Sequence, residues 1–498
     1  MHDFKIQLLS KRFIYCLHNY VFIIYKVIFM KLLFIQKDPF VNLGLMYLSA
    51  YVKKKGHQTD LVVDSCCSDL MSEIKKVSPG IITISSTTGI HTWALDLAKK
   101  IKSQFNIPIM LGGHHPTFFP EVINDPNIDM ICVGEGELAI TELLDRFNSD
   151  ITKVPGIYVK KNGVVYKNDV AHNIDNLDDL PFPDRNLYCR YPFITNQENL
   201  RIITMRGCPY RCSFCFHPAM RRIYDGKGKY VRRRSVANVI EELKLLKGKY
   251  KRVDFQDDTF IVNFNSFVKP FLEAYSKEIA LPFTCCVRAD IMTEEVVVAL
   301  KNAHCHSVKM GIETADDNLN NTVLKRDLNL KQVEDAINLC KKHGVKVETF
   351  NLIGIPGETI EQALKTMQFN SDMGVDFARC ALVQPYPKTD LEEYCKEHDF
   401  LEINFDINSF ENSYFVDSPM KLNNKNQFIN LERLFGVGVR FKFLIPIIKL
   451  LIKLPPNALF DWIFRVDYAL SIKSIDKVST KDFINFSARA IGFFSKKK

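Results

Sequence analysis

The residues best suited to chemistry in this chain are three closely spaced cysteines, Cys208, Cys212 and Cys215, in the segment RGCPYRCSFC. Their spacing is C-x3-C-x2-C. Three thiolates on one short loop can bind three irons of a cubane [4Fe–4S] cluster and leave the fourth iron open. An open iron can bind a small molecule and pass it an electron. The spacing therefore predicts a reactive cluster, with these cysteines as its ligands.

Other metal sites fit this spacing less well. Structural zinc sites use paired C-x2-C elements and need a fourth protein ligand. His217 is the obvious candidate, but it lies too close to Cys215 in sequence to complete a zinc finger. The fourth Cys and following Pro of a two-cluster ferredoxin run are missing. A zinc site and a chance arrangement remain the alternatives, and the other cysteines show no ligand spacing for a second cluster.

The length and composition indicate several domains in a reducing compartment. With 498 residues, two to four domains are expected, and 47% hydrophobic residues can supply their cores. Fourteen cysteines are diluted over this length, and no cleavable signal peptide is convincing. These features favour the cytoplasm, where an oxygen-labile cluster is also best protected.

The net charge of +9 is concentrated at the two ends of the chain. Lys and Arg outnumber Asp and Glu by 15 to 5 in residues 421–498 and by 4 to 1 in residues 1–30. Residues 31–420 have a net charge of −4. The mildly acidic charge of residues 31–420 argues against nucleic acid as a partner. The basic charge of the two ends therefore needs a separate explanation.

Residues 1–29 form an apolar and basic leader. The uncharged run from Phe13 to Tyr25 is shorter than a membrane-spanning helix requires. Because Met30 directly precedes the strand pattern KLLFIQ, we favour Met30 as the true start and residues 1–29 as an upstream translation artefact. A hydrophobic N-terminal membrane anchor is the alternative.

Residues 30–150 alternate between strand and helix patterns. The strand candidates are KLLFIQ, DLVVDS, GIITISS, IPIMLGG and MICVGEGE. This alternation predicts an α/β domain with a parallel, doubly wound, Rossmann-like sheet. Ligands of such sheets bind beyond the carboxyl ends of the strands. Three glycine-containing turns follow strands there: SSTTG at 85–89, GGHHPT at 112–117 and GEGE at 134–137.

A connector and a second α/β region follow. Residues 151–196 include the Asp- and Pro-rich segment NIDNLDDLPFPDRNLY, which predicts an extended linker. In residues 197–395 six strand candidates precede helical stretches: LRIITMR, KRVDFQ, FTCCVR, SVKMGIE, VETFNLIG and ARCALVQP. The cysteine motif follows the first strand. Catalytic groups of βα barrels lie at the carboxyl ends of the strands.

The cysteine motif and the order of the two regions resemble the radical S-adenosylmethionine (SAM) superfamily, in the subgroup with an N-terminal cobalamin-binding domain. That subgroup includes class B methyltransferases and anaerobic porphyrin cyclases. The resemblance implies a partial (β/α)6 TIM-type barrel for residues 197–395. It also implies that the open iron holds the amino and carboxylate groups of SAM, whose reductive cleavage yields a 5′-deoxyadenosyl radical.

For cobalamin, the resemblance implies contacts from the three glycine-containing turns. The residues concerned are Ser85, Thr87, Gly112, Gly113, Pro116, Gly134, Glu135 and Gly136. The D-x-H-x-x-G motif, whose His ligates cobalt in cobalamin-dependent mutases, is absent. We therefore do not predict His114 or His115 as a cobalt ligand. A domain that kept the fold and lost the cofactor is the alternative.

For SAM, the resemblance implies contacts from residues that follow the barrel strands. They are Phe214, Asp257, Asp258, Arg288, Glu313, Gly354 and Gly357. Phe214 would pack near the adenine, and one of the two aspartates would accept hydrogen bonds from the ammonium group. The alternatives are core packing for Phe214 and a loop or helix-cap role for the aspartates.

The remaining SAM predictions concern the later strands. Arg288 would pair with the SAM carboxylate, or alternatively form a structural ion pair. Glu313 would hold the ribose hydroxyls. The backbone at Gly354 and Gly357 would line the adenosine, although Gly357 is equally explained by turn geometry. PYPKTD at 385–390 has Lys388 where the family pattern has glycine. The sequence therefore predicts that this loop differs from the family's loop.

Residues 396–498 match no motif and have mainly helical patterns. In FLIPIIKLLIKLPP, Lys449 and Lys453 lie on one helical face, and Pro446 and Pro455 suit a start and a stop. A basic amphipathic stretch can lie on an anionic membrane surface. The alternative is a helical domain packed on the barrel with a solvated basic face.

These features predict a cobalamin-dependent radical SAM enzyme that methylates an unactivated carbon of a small-molecule or lipid-like substrate. A reduced flavodoxin or ferredoxin-type protein would supply electrons. One alternative uses the radical for cyclisation, oxidation or rearrangement. Another is a catalytically silent carrier of an iron–sulfur cluster or of cobalamin. The predicted location is the cytoplasm, extending to the inner membrane surface if the basic C-terminal region binds there.

Overall fold

The computed structural model describes residues 30–476 apart from residues 404, 406 and 408–417, with side chains described up to residue 471. The predictions for residues 1–29 and for the last 22 residues of the chain therefore lie outside the described residues.

The first sheet is built from the N-terminal region and has the order β2-β1-β3-β4-β5-β6-β7. Its strands are β1 (Lys31–Gln36), β2 (Gln58–Val63), β3 (Ile81–Ser85), β4 (Ile109–Gly112), β5 (Met130–Cys132), β6 (Ile157–Lys161) and β7 (Val164–Tyr166). The first five are parallel, and β6 and β7 are antiparallel. The helices are α1 (Leu43–Lys54), α2 (Leu70–Val77), α3 (His91–Lys102), α4 (His114–Phe118) and α5 (Gly136–Asp145).

Strand β1 shows why the sheet is doubly wound. Leu32 and Phe34 belong to the apolar core on one face, and Leu33 and Ile35 to the core on the other. A strand buried on both faces needs a continuous apolar run and helices on both sides. The Rossmann-like prediction is thereby confirmed.

The order β2-β1-β3 places the topological switch point between β1 and β3, where ligands of doubly wound sheets bind. The loops at 37–42 and 86–90 flank this crevice. The sequence analysis predicted cobalamin contacts in the second loop and none in the first.

Part of the predicted linker lies in this first sheet. Strands β6 and β7 pair across a turn at Asn162 and Gly163, which have φ values of 53° and 78°. Farther along, Leu187, Tyr188 and Ile194 are buried in the first core. The segment between residues 151 and 196 therefore completes the first domain as well as connecting it to the second.

The second sheet has six parallel strands in the order β15-β14-β13-β12-β11-β8. They are β8 (Asn199–Ile202), β11 (Arg252–Phe255), β12 (Phe283–Val287), β13 (Cys305–Glu313), β14 (Lys346–Ile353) and β15 (Phe377–Leu382). All six predicted strands are present, as the partial barrel requires. A short antiparallel ribbon, β9 (Met205–Arg206) and β10 (Arg232–Arg233), lies beside them.

The helices that follow these strands are α7 (Phe216–Ile223), α8 (Val236–Leu246), α9 (Lys269–Glu278), α10 (Glu294–Asn302), α11 (Leu330–Lys342) and α12 (Ile360–Met373). The short α6 (Pro192–Thr195) precedes the sheet and packs in the first core through Ile194. Helices α8 to α11 bury their apolar faces against the second sheet. The shared core includes Phe255, whose ring contacts those of Phe271 and Phe283 edge to face.

The C-terminal region is mostly helical, as predicted, with α13 (Asp390–Glu397), α14 (Lys425–Arg440), α15 (Ile445–Leu451) and α16 (Ala458–Asp476). Ile445, Ile448 and Ile452 are buried in a core that also contains Ala378 and Leu382 of the edge strand β15. One face of this region therefore packs on the barrel. Within the described part of the chain, none of the helices has the length and apolar character needed to cross a bilayer.

Candidate functional site

The three motif cysteines lie on the loop between β9 and α7. All three are half-buried, and burial raises their thiol pKa values, to about 11 for Cys208 and about 12 for Cys215. The thiols are near enough to raise one another's pKa further. Burial thus makes the charged thiolate form unfavourable, and a cationic iron cluster would offset this by binding the thiolates. Three mutually close thiols in a partly dry loop therefore fit a cubane cluster.

Contacts from the adjacent helix α7 and from the distant residues 323–324 hold the cysteine loop in place. Arg221 Nη2 donates to the Cys208 carbonyl at 2.7 Å. Ser213 donates through its backbone N to Leu324 O at 2.9 Å and through Oγ to Val323 O at 2.6 Å. Phe214 packs in an apolar cluster with those two residues, which corresponds to the packing alternative for this side chain.

The two aspartates after β11 have different environments. Asp257 is 1% exposed, and its carboxylate accepts hydrogen bonds from the backbone N of Thr204 and Met205 and from Thr204 Oγ1. A SAM contact from Asp257 does not fit this structure, because the carboxylate already anchors the chain that leads into the cysteine loop. Asp258 is exposed, and its Oδ2 lies 3.0 Å from His217 Nε2, so it remains the candidate for the ammonium group.

Arg288 has the structural role that was its alternative. Its Nε and Nη2 pair with the two carboxylate oxygens of Asp290, both at 3.0 Å, and Nη2 also donates to the Arg326 carbonyl at 2.9 Å. The guanidinium stacks on Tyr210 of the cysteine loop at 3.9 Å. The fork that would bind the SAM carboxylate is therefore already paired.

Glu313 contacts an arginine that the sequence analysis missed. Its Oε1 lies 3.0 Å from Arg326 Nη1, and both side chains are less than a tenth exposed. Burial raises the pKa of Glu313, and Arg326 partly offsets this rise. Arg326 Nε has no hydrogen-bond partner among the described residues. This buried donor, beside Glu313 and near Cys212, fits a ligand carboxylate.

Arg326 reaches the site because its neighbours bend the chain. Lys325 and Asp327 have φ values of 49° and 50°, in the left-handed region that side chains rarely adopt. Its position after the fourth barrel strand was the available signal, but nothing in the sequence distinguishes it from the adjacent Lys325.

The turn after β14 is built around a buried carboxyl group. Gly354 and Gly357 have φ values of 74° and 81°. Glu358 Oε2 accepts hydrogen bonds from the backbone N of Gly354 at 2.6 Å and of Ile355 at 3.2 Å. Both glycines thus satisfy a turn requirement. Burial raises the pKa of Glu358 to about 8.

Glu358 should make stability fall at alkaline pH. Because its folded pKa lies above the unfolded value, its contribution is complete below the unfolded value and is lost as pH rises through about 8. We expect the wild-type protein to lose about 2 kcal/mol of unfolding free energy between pH 6 and pH 9 relative to Glu358→Gln. Urea unfolding of both proteins at the two pH values measures this, and parallel pH profiles would contradict it.

The turns after β3 and β4 meet at a void in the first domain. Gly112 is buried, yet a Cβ built on it would meet no atom within 4 Å. Next to it, Gly113 has a φ of 100°, and a Cβ there would lie 2.6 Å from Ser86 O. Ser85 is half-buried and Thr87 exposed at the same edge, and Pro116 is buried in α4. Empty space beside a buried glycine fits a bound cofactor.

The two histidines of this turn also differ. His115 is buried and stacks on His91 at 4.1 Å, and burial lowers its pKa to about 3. It is a neutral core histidine. His114 is exposed and lies edge-on to Phe216, with ring centroids 4.9 Å apart.

The third turn, at 134–137, faces the second domain instead of a void. The backbone N of Glu135 donates to Tyr224 Oη at 2.5 Å. The Glu135 carboxylate pairs with Arg206 and Arg232, whose guanidinium groups come from the ribbon β9–β10. The predicted cobalamin contacts at Gly134 and Glu135 do not fit, because barrel side chains occupy their surroundings. Gly136 opens α5 against Ile140 and Leu48 of α1.

Gly134 should not tolerate a side chain. It has a φ of 85°, and a Cβ there would collide with Tyr224 Oη. We expect Gly134→Ala to lower the free energy of unfolding by about 2–3 kcal/mol, measured by urea denaturation. Gly163→Ala is the matched control, because Gly163 has a φ of 78° but open space around it. Equal losses in both variants would show that backbone strain alone, without the collision, explains the effect.

The carboxyl edges of the two sheets thus face each other. His114, from the turn after β4, contacts Phe216, which directly follows Cys215. Lys388 of the PYPKTD loop lies 6.0 Å from the ring of Phe119. The turn beside the open space at Gly112 therefore contacts the end of the cysteine loop across the domain boundary.

Known proteins share both halves of this arrangement. A family model described as the radical SAM superfamily matches residues 202–369, and one described as the B12 binding domain matches residues 37–144. An uncharacterized methyltransferase of Pyrococcus horikoshii is 32% identical over 371 residues, covering 72% of this chain and 79% of the relative. The anaerobic magnesium-protoporphyrin IX monomethyl ester cyclase of Rubrivivax gelatinosus is 28% identical over 79% of this chain and 72% of its own.

Two solved structures have the same fold. The cobalamin-dependent SAM radical enzyme OxsB with aqua-cobalamin aligns with a TM-score of 0.67 at 16% identity, covering 93% of this chain and 79% of its own. The radical SAM methyltransferase TsrM of Kitasatospora setae aligns with a TM-score of 0.63 at 17% identity, covering 80% of each chain. The two matched domains indicate a [4Fe–4S] cluster, SAM and cobalamin as cofactors. The chain therefore belongs to the radical SAM enzymes that carry a B12 binding domain ahead of the radical SAM domain, a family that includes cobalamin-dependent methyltransferases.

Proposed function

We propose that this enzyme methylates an unactivated carbon of its substrate. One observation carries the proposal: a turn at the carboxyl edge of the first sheet contacts the end of the cysteine loop, with the ring centroids of His114 and Phe216 4.9 Å apart. When bound there, the cluster and SAM supply the radical that removes a hydrogen atom, and cobalamin supplies the methyl group. Because the two segments adjoin, we expect one bound substrate to reach both groups.

Different residues would bind the cluster and SAM. Cys208, Cys212 and Cys215 hold the cluster. Arg326 offers its unpartnered Nε to the SAM carboxylate, and Asp258 accepts from the ammonium group. Each turnover would convert one SAM molecule to 5′-deoxyadenosine and methionine and another to S-adenosylhomocysteine. The electrons come from a reduced flavodoxin or ferredoxin-type protein.

Charged side chains on the barrel strands suggest where a substrate is recognised. Lys309 Nζ lies 2.9 Å from Asp254 Oδ1, and Glu348 pairs with Arg379. Arg379 also donates to Tyr468 Oη of α16 at 2.6 Å, so the C-terminal helices reach this surface. These residues alternate with core residues along their strands and therefore lie on the face away from the outer helices. We infer that a small or lipid-like substrate presents its polar group here.

The test uses protein reconstituted anaerobically with reductant, methylcobalamin and SAM that carries a deuterated methyl group. Cell extract serves as the source of substrate, and mass spectrometry follows the products. We expect both 5′-deoxyadenosine and S-adenosylhomocysteine, together with a product that carries the deuterated methyl group. Exchanging flavodoxin, ferredoxin and a chemical reductant tests the electron donor separately.

The other outcomes distinguish the alternatives. Formation of 5′-deoxyadenosine alone, with a new product that lacks the label, would overturn methyl transfer. It would favour radical cyclisation or rearrangement, in line with the relatives that are porphyrin cyclases. A protein with an intact cluster that forms neither nucleoside product would be a carrier.

A further inference from the structure

Exposed apolar side chains are concentrated on the C-terminal helices. Nine of the fifteen large apolar side chains that are exposed among the described residues lie between residues 441 and 470. Phe443 is 74% exposed, Leu450 67% and Trp462 61%. Single exposed apolar residues are common on proteins, but a concentration of this kind marks a surface that something covers.

These side chains form stripes opposite the packed faces. On α16, Leu459, Trp462, Val466 and Leu470 follow helical spacing and are exposed, while Phe460 is buried in the core beside α14. In and around α15 the exposed residues are Phe443, Ile447, Leu450 and Leu454, and the buried ones are Ile445, Ile448 and Ile452. We call these two exposed stripes the C-terminal apolar face.

Lysines accompany the stripe in and around α15. Lys449 and Lys453 are exposed on either side of Leu450, and Lys442, exposed beside Phe443, pairs with Asp372. Asp and Glu are absent from residues 441–454. Helices that lie in a bilayer interface typically combine lysine with apolar and aromatic side chains. The methylene chain of each lysine lies in the apolar region, and its ammonium group reaches the headgroups.

We propose that the C-terminal apolar face binds the surface of a lipid bilayer that contains anionic headgroups. The described helices are too short or too polar to cross the bilayer, so this contact is interfacial. An apolar stripe and a basic cluster supply the two signals that stable peripheral binding requires. Protein–protein interfaces are depleted in lysine, so Lys449 and Lys453 within this face argue against a second copy as the occupant.

The position of the two tryptophans allows a direct test. The chain has only Trp93 and Trp462. Trp93 lies in the first domain, where its Nε1 donates to Asp64 at 2.9 Å. In the reconstituted full chain with Trp93→Phe, Trp462 becomes the single fluorescent reporter. We expect its emission to shift to shorter wavelength with vesicles of phosphatidylcholine and phosphatidylglycerol, and less with phosphatidylcholine alone.

Variants separate the two contributions in vesicle sedimentation. We expect Leu450→Ser combined with Phe443→Ser to weaken binding at least about tenfold, because two apolar side chains no longer enter the interface. Lys449→Gln with Lys453→Gln should weaken binding only to anionic vesicles and reduce its salt dependence. Leu245→Ser is the matched control, since Leu245 is 63% exposed on α8 of the barrel and should leave binding unchanged.

Three results would overturn the proposal. The first is no sedimentation with anionic vesicles. The second is an equal loss of binding in the Leu245→Ser control. The third is a Trp462 emission already at short wavelength without vesicles; analytical ultracentrifugation would then show whether a second copy, or residues 477–498 of the same chain, covers the face. Product assays without lipid test the proposed methylation independently.

Discussion

Replacing Cys212 with alanine will abolish SAM cleavage. Cys212 supplies one of three thiolates, and its loss leaves too few ligands on the loop to retain the cluster. We expect the rate of 5′-deoxyadenosine formation to fall at least about a thousandfold, or ~4 kcal/mol in activation free energy. The iron and sulfide content and the visible absorbance of the reconstituted variant report the cluster itself.

The control for Cys212→Ala is a cysteine outside the motif. Cys189 is exposed in the connector and lies outside the cysteine loop. Cys189→Ala should keep the wild-type iron content and the wild-type rate. If Cys212→Ala still cleaved SAM at the wild-type rate, the assignment of the cluster to this loop would be wrong.

Replacing Arg206 with alanine will destabilise the junction between the domains. The Arg206 guanidinium lies 2.8 Å from Glu135 and 2.6 Å from Glu137, and the Glu137 side chain is only 6% exposed. Truncation leaves two carboxylates near each other with one remaining arginine, Arg232. We expect the free energy of unfolding to fall by about 3 kcal/mol, measured by urea denaturation.

The matched control for Arg206→Ala is a surface ion pair. Lys227 pairs with Asp169, whose side chain is 87% exposed, so Lys227→Ala should change the unfolding free energy by less than about 0.5 kcal/mol. The double variant Arg206→Met with Glu137→Gln should recover part of the loss, because it removes the unpaired charge. A loss for Arg206→Ala no larger than that for Lys227→Ala would contradict a stabilising role.

The stability that this junction provides should decrease at acidic pH. Burial alone would raise the pKa of Glu135, but Arg206 and Arg232 outweigh it and hold the pKa below its ordinary value. Because the pKa of Glu135 is lower in the folded than in the unfolded state, its carboxylate adds to the free energy of unfolding. This contribution is present above the unfolded pKa and is lost as pH falls through the folded pKa. The stability difference between the wild type and Glu135→Gln should therefore shrink only below about pH 4.

These contacts fix the first domain to the barrel. Tyr224, Arg206 and Arg232 fix the turn at 134–137 to the barrel, so the two carboxyl edges are held opposite each other. A fixed junction would suit the proposed reaction, in which two groups act on one substrate atom and the substrate need not move between them.

Local sequence patterns were sufficient for the architecture. All eleven predicted strands of the two regions are present, because continuous apolar runs such as KLLFIQ can be buried only in a sheet covered on both faces. The hairpin of β6 and β7 was missed although the sequence contains its signal, Asn162-Gly163, a pair that favours tight hairpin turns. The Asp- and Pro-rich stretch that follows favoured a linker instead.

The sequence by itself determined the reactive group and the kind of fold. The cysteine spacing is local, so three ligands on one loop need no distant partner to be recognised. Tertiary structure decided which of the other predicted residues have atoms available for a ligand. Asp257 is engaged by Thr204, Arg288 by Asp290 and the Arg326 carbonyl, and Glu135 by Arg206. Arg326 instead keeps a buried donor that has no partner among the described residues. Most of these partners lie tens of residues away, and a charged side chain turns toward whichever opposite charge the folded chain brings near it.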